Sequence, residues 1–323
     1  MEVRPAALCA LDNRLMNLAE ASETAAPSTS ASPLPADPVL DRLAGILREM
    51  GSVLVCYSGG VDSAFVLAVA HRVLGDKCIG MTAVSPSLAD FERDAAVTLA
   101  QQIGARHELV ESNEIEDEDY AKNHVDRCFH CKSELYRVSD TKQREWGLAF
   151  SVNGTNTDDL GDYRPGLEAA KKAGARSPLV EAGLDKAEVR RLAQLLGLPV
   201  WDKPAAACLS SRLPYGTRVT RERLAQIGSL EAAIHSLGVR QARVRWHAVG
   251  GGEGTKESAM ARVEIGKAEM EHAFESRDAI VEAGKRLGFA YVTLDLAGYR
   301  TGSHNELLSA SSRASRRSLP VVS

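Results

Sequence analysis

Three features of this 323-residue sequence predict an α/β fold: a parallel sheet with helices on both faces, followed by a smaller α+β domain. Apolar runs of strand length alternate with segments of helical apolar spacing from Val53 to Val110, and short connections between such runs favour parallel pairing. Beyond about Pro204 the order changes to helix, two strands, helix and strand, which reads as a separate small unit. The composition, 44% hydrophobic and 25% charged, is that of a folded chain with room for two domains.

Residues 21–38 are mainly Ala, Ser, Thr and Pro with little to bury, so residues 1–38 are expected to be a disordered leader. Asp41 to Met50 has the spacing of a short amphipathic helix. Val53 to Tyr57 is a buried strand, Ala64 to Leu74 a helix, Cys78 to Val84 a strand, Ala89 to Ile103 a helix and His107 to Val110 a strand. A helix from Ser133 to Trp146 and a buried strand from Leu148 to Asn153 follow. Asp185 to Leu196 is amphipathic and is ended by Gly197 and Pro199. These elements make a first domain, 39–203. Trp201 to Val219 is polar and marked by proline, and irregular segments of that length usually serve function. The second domain, 204–308, holds a helix at Arg221 to Leu237, strands at Ala242 to Ala248 and Ala261 to Ile265, a helix at Lys267 to Leu287 and a strand at Tyr291 to Leu296. The Ser/Arg-rich tail, 309–323, is expected to be disordered.

A net charge of −4 gives no general attraction for nucleic acid, and no apolar run approaches the ~20 residues of a membrane span. The N-terminal residues lack the pattern of a secretory signal, which leaves the cytoplasm as the expected location. Six cysteines in so long a chain argue against a disulfide framework, so each reads as core filler, metal ligand or nucleophile.

The chemistry centres on Ser58-Gly59-Gly60-Val61-Asp62-Ser63, a glycine turn between a buried strand and a helix start. Adjacent glycines let a ligand approach the backbone, and the free N–H groups of a first helical turn favour anions, phosphate above all. The loop lacks the Gly-Lys-Ser/Thr ending of a Walker A motif. Gly154 to Asp159 follows the strand ending at Asn153. Ligands of open parallel sheets sit outside the carboxyl ends of strands, so this turn should face the same crevice. Cys128 and Cys131 are spaced to converge on one metal; zinc with His124 or His130, a redox pair and half of an iron–sulfur site are all open. Cys208 lies in the polar segment near Arg212, and positive charge favours a thiolate. Cys9, Cys56 and Cys78 read as incidental or core residues. Arg243 and Arg245 alternate on a strand and share a face, with guanidinium forks suited to phosphate.

The loop resembles the PP-loop of ATP pyrophosphatases, the adenine nucleotide alpha hydrolase-like fold, whose members split ATP between the α and β phosphates. That resemblance implies that Ser58, Gly59, Gly60, Asp62, Ser63 and Gly154 bind ATP, with Asp62 helping to hold Mg²⁺. Lys203 to Gly216, Gly161 to Leu167, Arg243 to His247 and Ala261 to Glu264 are similar to LarE, a PP-loop sulfur transferase family of nickel-pincer nucleotide biosynthesis. The similarity runs from about Leu40 to Asn305. It implies adenylation of a carboxylate of pyridinium-3,5-biscarboxylic acid mononucleotide, release of pyrophosphate and AMP, and conversion to a thiocarboxylate. It also implies substrate contacts from Asp162, Arg164, Arg212, Arg243 and Arg245, and metal ligation by Glu231 and Glu264. His272 departs from the family aspartate. Members divide by sulfur source, and Cys128, Cys131 and Cys208 together resemble the branch that carries a [4Fe-4S] cluster on three cysteines. Sacrifice of the Cys208 sulfur is the competing role, and PP-loop tRNA thiolation the competing function. The family suggests a homo-oligomer, trimer or hexamer, and neither a membrane nor a nucleic-acid partner is expected.

Overall fold

A computed structural model of the chain describes residues 33–161, 165–204, 206–250 and 258–300. Asp162, Arg164, Cys9 and the expected tail lie outside these residues. Helix α1 (Pro38–Met50) opens on Asp37, whose carboxylate accepts from the N–H groups of Val39 and Leu40 at 2.9 and 3.3 Å. An acidic N-cap followed by proline is a strong helix start, so the fold begins inside the stretch that composition assigns to a leader.

The first sheet has the order β3-β2-β1-β4 and is parallel throughout. Its strands are β1 (Val53–Cys56), β2 (Cys78–Val84), β3 (Arg106–Glu111) and β4 (Phe150–Val152). Between them run α2 (Val61–Leu74), α3 (Asp90–Ile103), the short α4 (Glu118–Ala121) and α5 (Arg127–Glu145). Helix α2 is buried nearly all round, Val61 and Ala64 to Ala70 lying in the core with Leu40, Leu43 and Leu47 of α1. That explains a sequence apolar on every face rather than striped. Helices α6 (Pro165–Lys172), α7 (Pro178–Glu181) and α8 (Lys186–Leu195) follow; α8 contributes Val189, Leu192 and Ala193 to the same core. This is the predicted α/β architecture.

A second sheet has the order β5-β6-β7, with β5 (Ala242–Val249) antiparallel to β6 (Ser258–Ile265) and β6 parallel to β7 (Phe289–Leu294). It packs on α9 (Arg221–Ser236) around its own core of Leu224, Ile227, Leu230, Val244 and Val263. The single helix predicted for Lys267 to Leu287 is broken into a 3₁₀ turn, α10 (Met270–Glu275) and α11 (Arg277–Arg286). The break falls at Ser276, whose backbone (φ −86°, ψ 9°) has left the helical region. No helix among the described residues is long and apolar enough to cross a membrane.

Candidate functional site

The glycine loop leaves the carboxyl end of β1 and enters α2, and its first glycine is required by geometry. Gly59 has φ +71°, and a Cβ there would stand 2.8 Å from the Ala96 Cβ of α3. Gly60 N-caps α2 without any side-chain cap, so the first-turn N–H groups stay directed at whatever the loop holds. Ser63 Oγ closes the turn, donating to Gly60 O at 3.1 Å and accepting from Ser58 N at 3.2 Å. Gly154, beyond the carboxyl end of β4, presses on this helix start: a Cβ there would lie 2.7 Å from Ser63 N. The structure thus brings Ser58, Gly59, Gly60, Asp62, Ser63 and Gly154 into one place.

Residues distant in sequence complete the loop's surroundings. Asn156 Nδ2 donates to Asp62 Oδ1 at 3.1 Å, and Lys186, the first residue of α8, makes a salt bridge with Asp62 Oδ2. Lys203 reaches Gly59 O at 3.5 Å and Glu92 of α3 at 2.7 Å. Neither lysine carries a local sequence pattern that points to phosphate. The one available signal is negative, since a phosphate loop without a lysine of its own needs cations from elsewhere.

Cys128 and Cys131 sit in the first turns of α5, which begins six residues earlier than predicted because its polar opening turn carries no apolar stripe. Cys208 and Cys128 are exposed and Cys131 is half-buried. Burial pushes the Cys131 thiol up to about 12, Lys132 works against that, and Cys208 and Cys128 are close enough to raise it further. Desolvation works against the charge of buried Arg127, yet nearby Cys208, Cys128, Tyr120 and Tyr215 together outweigh it and its pKa is raised. The three sulfurs do not all lie within 4.8 Å of one another. His130 is not turned to the thiols: its Nδ1 stands 3.3 Å from Asp117 and its Nε2 3.8 Å from Asp126.

The Cys208 segment is held by partners from three elements. Leu209 N donates to Ser87 O at 2.9 Å in the loop after β2, and the Ser210 hydroxyl shares a buried network with Ser87 and Tyr120. Arg127 donates to Ser210 O at 2.9 Å and to the Asn123 side chain. Asn123, fully buried with φ +57°, donates from its amide to Pro214 O (2.8 Å) and Thr217 O (3.0 Å) and accepts from Gly216 N at 3.0 Å. Cys56, by contrast, lies against Ser139 (3.5 Å), and Cys78 is fully buried in β2 with its thiol pushed up to about 12 by desolvation.

Beneath this loop lies a set of buried arginine–carboxylate pairs. Arg212 donates from Nε and Nη2 to both oxygens of Glu231, at 2.9 and 3.1 Å, and from Nη1 to the carbonyls of Ala207 and Cys208. Glu231 also accepts from Val244 N at 2.9 Å. Arg245 bridges Ser211 O (2.7 Å) and Glu264 (3.0 Å), and Glu264 is shared with Arg262 at 3.4 Å. The resemblance makes Glu231 and Glu264 metal ligands; here each carboxylate is paired with a guanidinium group. Arg243 differs from its neighbours. It is half-buried over the Tyr299 ring (4.4 Å), has no carboxylate partner among the described residues, and its pKa is lowered, first by burial. His272 Nε2 donates to Leu237 O at 2.8 Å, away from this cluster.

No protein-family model matches the chain. It is 44% identical over 271 residues to an uncharacterized protein of Synechocystis, covering 83% of this chain and 97% of that one. It is 38% identical over 268 residues to the pyridinium-3,5-bisthiocarboxylic acid mononucleotide synthase of Lactiplantibacillus plantarum, covering 82% and 93%. A more limited match, 29% over 195 residues, covers 48% of this chain and 53% of the tRNA-specific 2-thiouridylase MnmA of Rickettsia felis.

Proposed function

Because the chain belongs to the LarE family of PP-loop, ATP-dependent sulfur transferases, we propose that its substrate is pyridinium-3,5-biscarboxylic acid mononucleotide. One carboxylate oxygen of that substrate attacks the α phosphorus of ATP and pyrophosphate leaves; sulfur then replaces the AMP, giving a thiocarboxylate. The observation that carries this reading is the common location of a glycine anion loop and three thiols at the carboxyl edge of one parallel sheet. Gly59, Gly60 and the N–H groups of α2's first turn receive pyrophosphate. Asp62, oriented by Asn156, is the residue for Mg²⁺. Arg243, a half-buried cation without an acid partner among the described residues, is placed for the substrate phosphate.

Cys128, Cys131 and Cys208 would hold a [4Fe-4S] cluster, which supplies sulfur at the crevice while leaving the chain intact. Arg127 holds Ser210 O, and the Arg212 contact with Cys208 O fixes the loop that presents the third thiol. Asp62→Ala should abolish pyrophosphate release while leaving any iron chromophore in place; normal ATP cleavage would remove Asp62 from the mechanism. The sulfur source is read from intact mass after turnover. An unmodified Cys208 with product in excess of enzyme supports the cluster, whereas a chain lighter by one H₂S, with dehydroalanine at position 208, supports sacrifice. Release of pyrophosphate stimulated by tRNA rather than by the pyridinium nucleotide would overturn the substrate assignment.

A further inference from the structure

The glycine loop presents backbone N–H groups to a polyanion, but its six residues contain no cation, and a pyrophosphate in a half-desolvated crevice needs one. Two ammonium groups stand at the loop, both from the stretch that runs from α8 towards Cys208. Lys186 is fixed at each end, its backbone N donating to Asp158 at 3.1 Å and its Nζ meeting Asp62. Lys203 stands 3.5 Å from Gly59 O and is paired with Glu92 at 2.7 Å; its backbone O accepts from Arg190 at 3.0 Å, which ties the segment to α8.

Neither ammonium is buried. The side chains of Lys186 and Lys203 are 32% and 24% exposed, so each can be reached by a ligand. Ion pairs open to solvent are worth little, and exchanging a carboxylate for a phosphate costs little. We infer that Lys186 and Lys203 are the phosphate-binding cations of this loop, held in place by Asp62 and Glu92 until pyrophosphate or the phosphates of ATP take over as their partners. The same exchange would free Asp62 for its metal. This inference rests on the nucleotide reading of the loop.

The two partners of the Glu92–Lys203 pair make the test. If the pair is only structural, removing either partner has the same consequence. If Glu92 competes with phosphate for Lys203, the two substitutions act in opposite directions. Binding of sodium pyrophosphate to the full-length chain, measured calorimetrically with and without Mg²⁺, should weaken about ten- to hundredfold in K203M and in K186M. It should strengthen severalfold in E92Q and recover substantially in K203R. Equal weakening in K203M and E92Q, or wild-type affinity in both lysine variants, would overturn the inference while leaving the loop's role intact. Wild-type protein that binds no pyrophosphate, or binds it without displacement by ATP, would instead refute the loop reading and the lysine assignment with it.

Discussion

The charges around the glycine loop and those beneath Cys208 are built to opposite plans. At the loop, Lys186–Asp62 and Lys203–Glu92 are partly exposed pairs whose members can change partners. Below Cys208, the side chains of Glu231 and Glu264 are fully buried and each is held by an arginine; the Arg212 side chain is only 7% exposed. Charges in the first region are available to a ligand. In the second they hold a backbone in place, whereas Arg243, half-buried over Tyr299, has no carboxylate partner among the described residues. Residue type alone does not separate these roles; burial and pairing do.

The comparison can be broken most severely at Glu231. Glu231→Ala leaves Arg212 buried without its partner and Val244 N without an acceptor, so stability should fall by about 3–5 kcal/mol. Urea denaturation checks this, and a loss below about 1 kcal/mol would mean that the pair is not a structural anchor. Arg243→Ala sharpens the contrast. It removes no carboxylate contact, so denaturation should change by roughly 0.5 kcal/mol, while substrate affinity drops about one to two decades with ATP binding little changed. Unchanged substrate affinity would return Arg243 to an ordinary strand face.

The smallest expected effect is one of pH. His247, which accepts from Arg262 at 3.3 Å, has its pKa lowered from the usual 6.5, first by burial and then by Arg262 and Arg245. The unfolded chain takes up this proton near 6.5 while the folded chain resists it. Its contribution is therefore complete above about pH 6.5 and is lost as pH falls below that value. His107, lowered by burial in the first sheet, acts in the same sense. Thermal melts across this window should show His247→Gln flattening part of the acid dependence, and an unaltered profile would assign the dependence to other groups.

The strands of the first sheet and its glycine loop are legible in the sequence because apolar runs and glycine turns are local signals. Val53, Cys78 and Phe150 align in one register as the alternation predicts. The start of α5 is not legible, since Arg127 to Lys132 offers no apolar periodicity and its order comes from Arg127 reaching across to Ser210. Nor is the pairing of Arg212 with Glu231, because both residue types are usually solvated and only the fold brings them together. Lys186 is hidden for the same reason, 124 positions from Asp62. Gly154 shows the intermediate case: its position after a strand is readable, but the 2.7 Å approach to Ser63 N that forbids a side chain is a property of the assembled fold.

Asn123 carries a consequence for how sulfur chemistry can vary on this scaffold. Its amide and carbonyl grip the backbone from Leu213 to Thr217, while Arg127 grips Ser210 and Arg212 grips Ala207 and Cys208. None of these contacts uses a sulfur atom. A chain that exchanged Cys128 and Cys131 for other residues would keep each of these hydrogen bonds, so the backbone carrying Cys208 is tied down without the other two thiols as donors or acceptors.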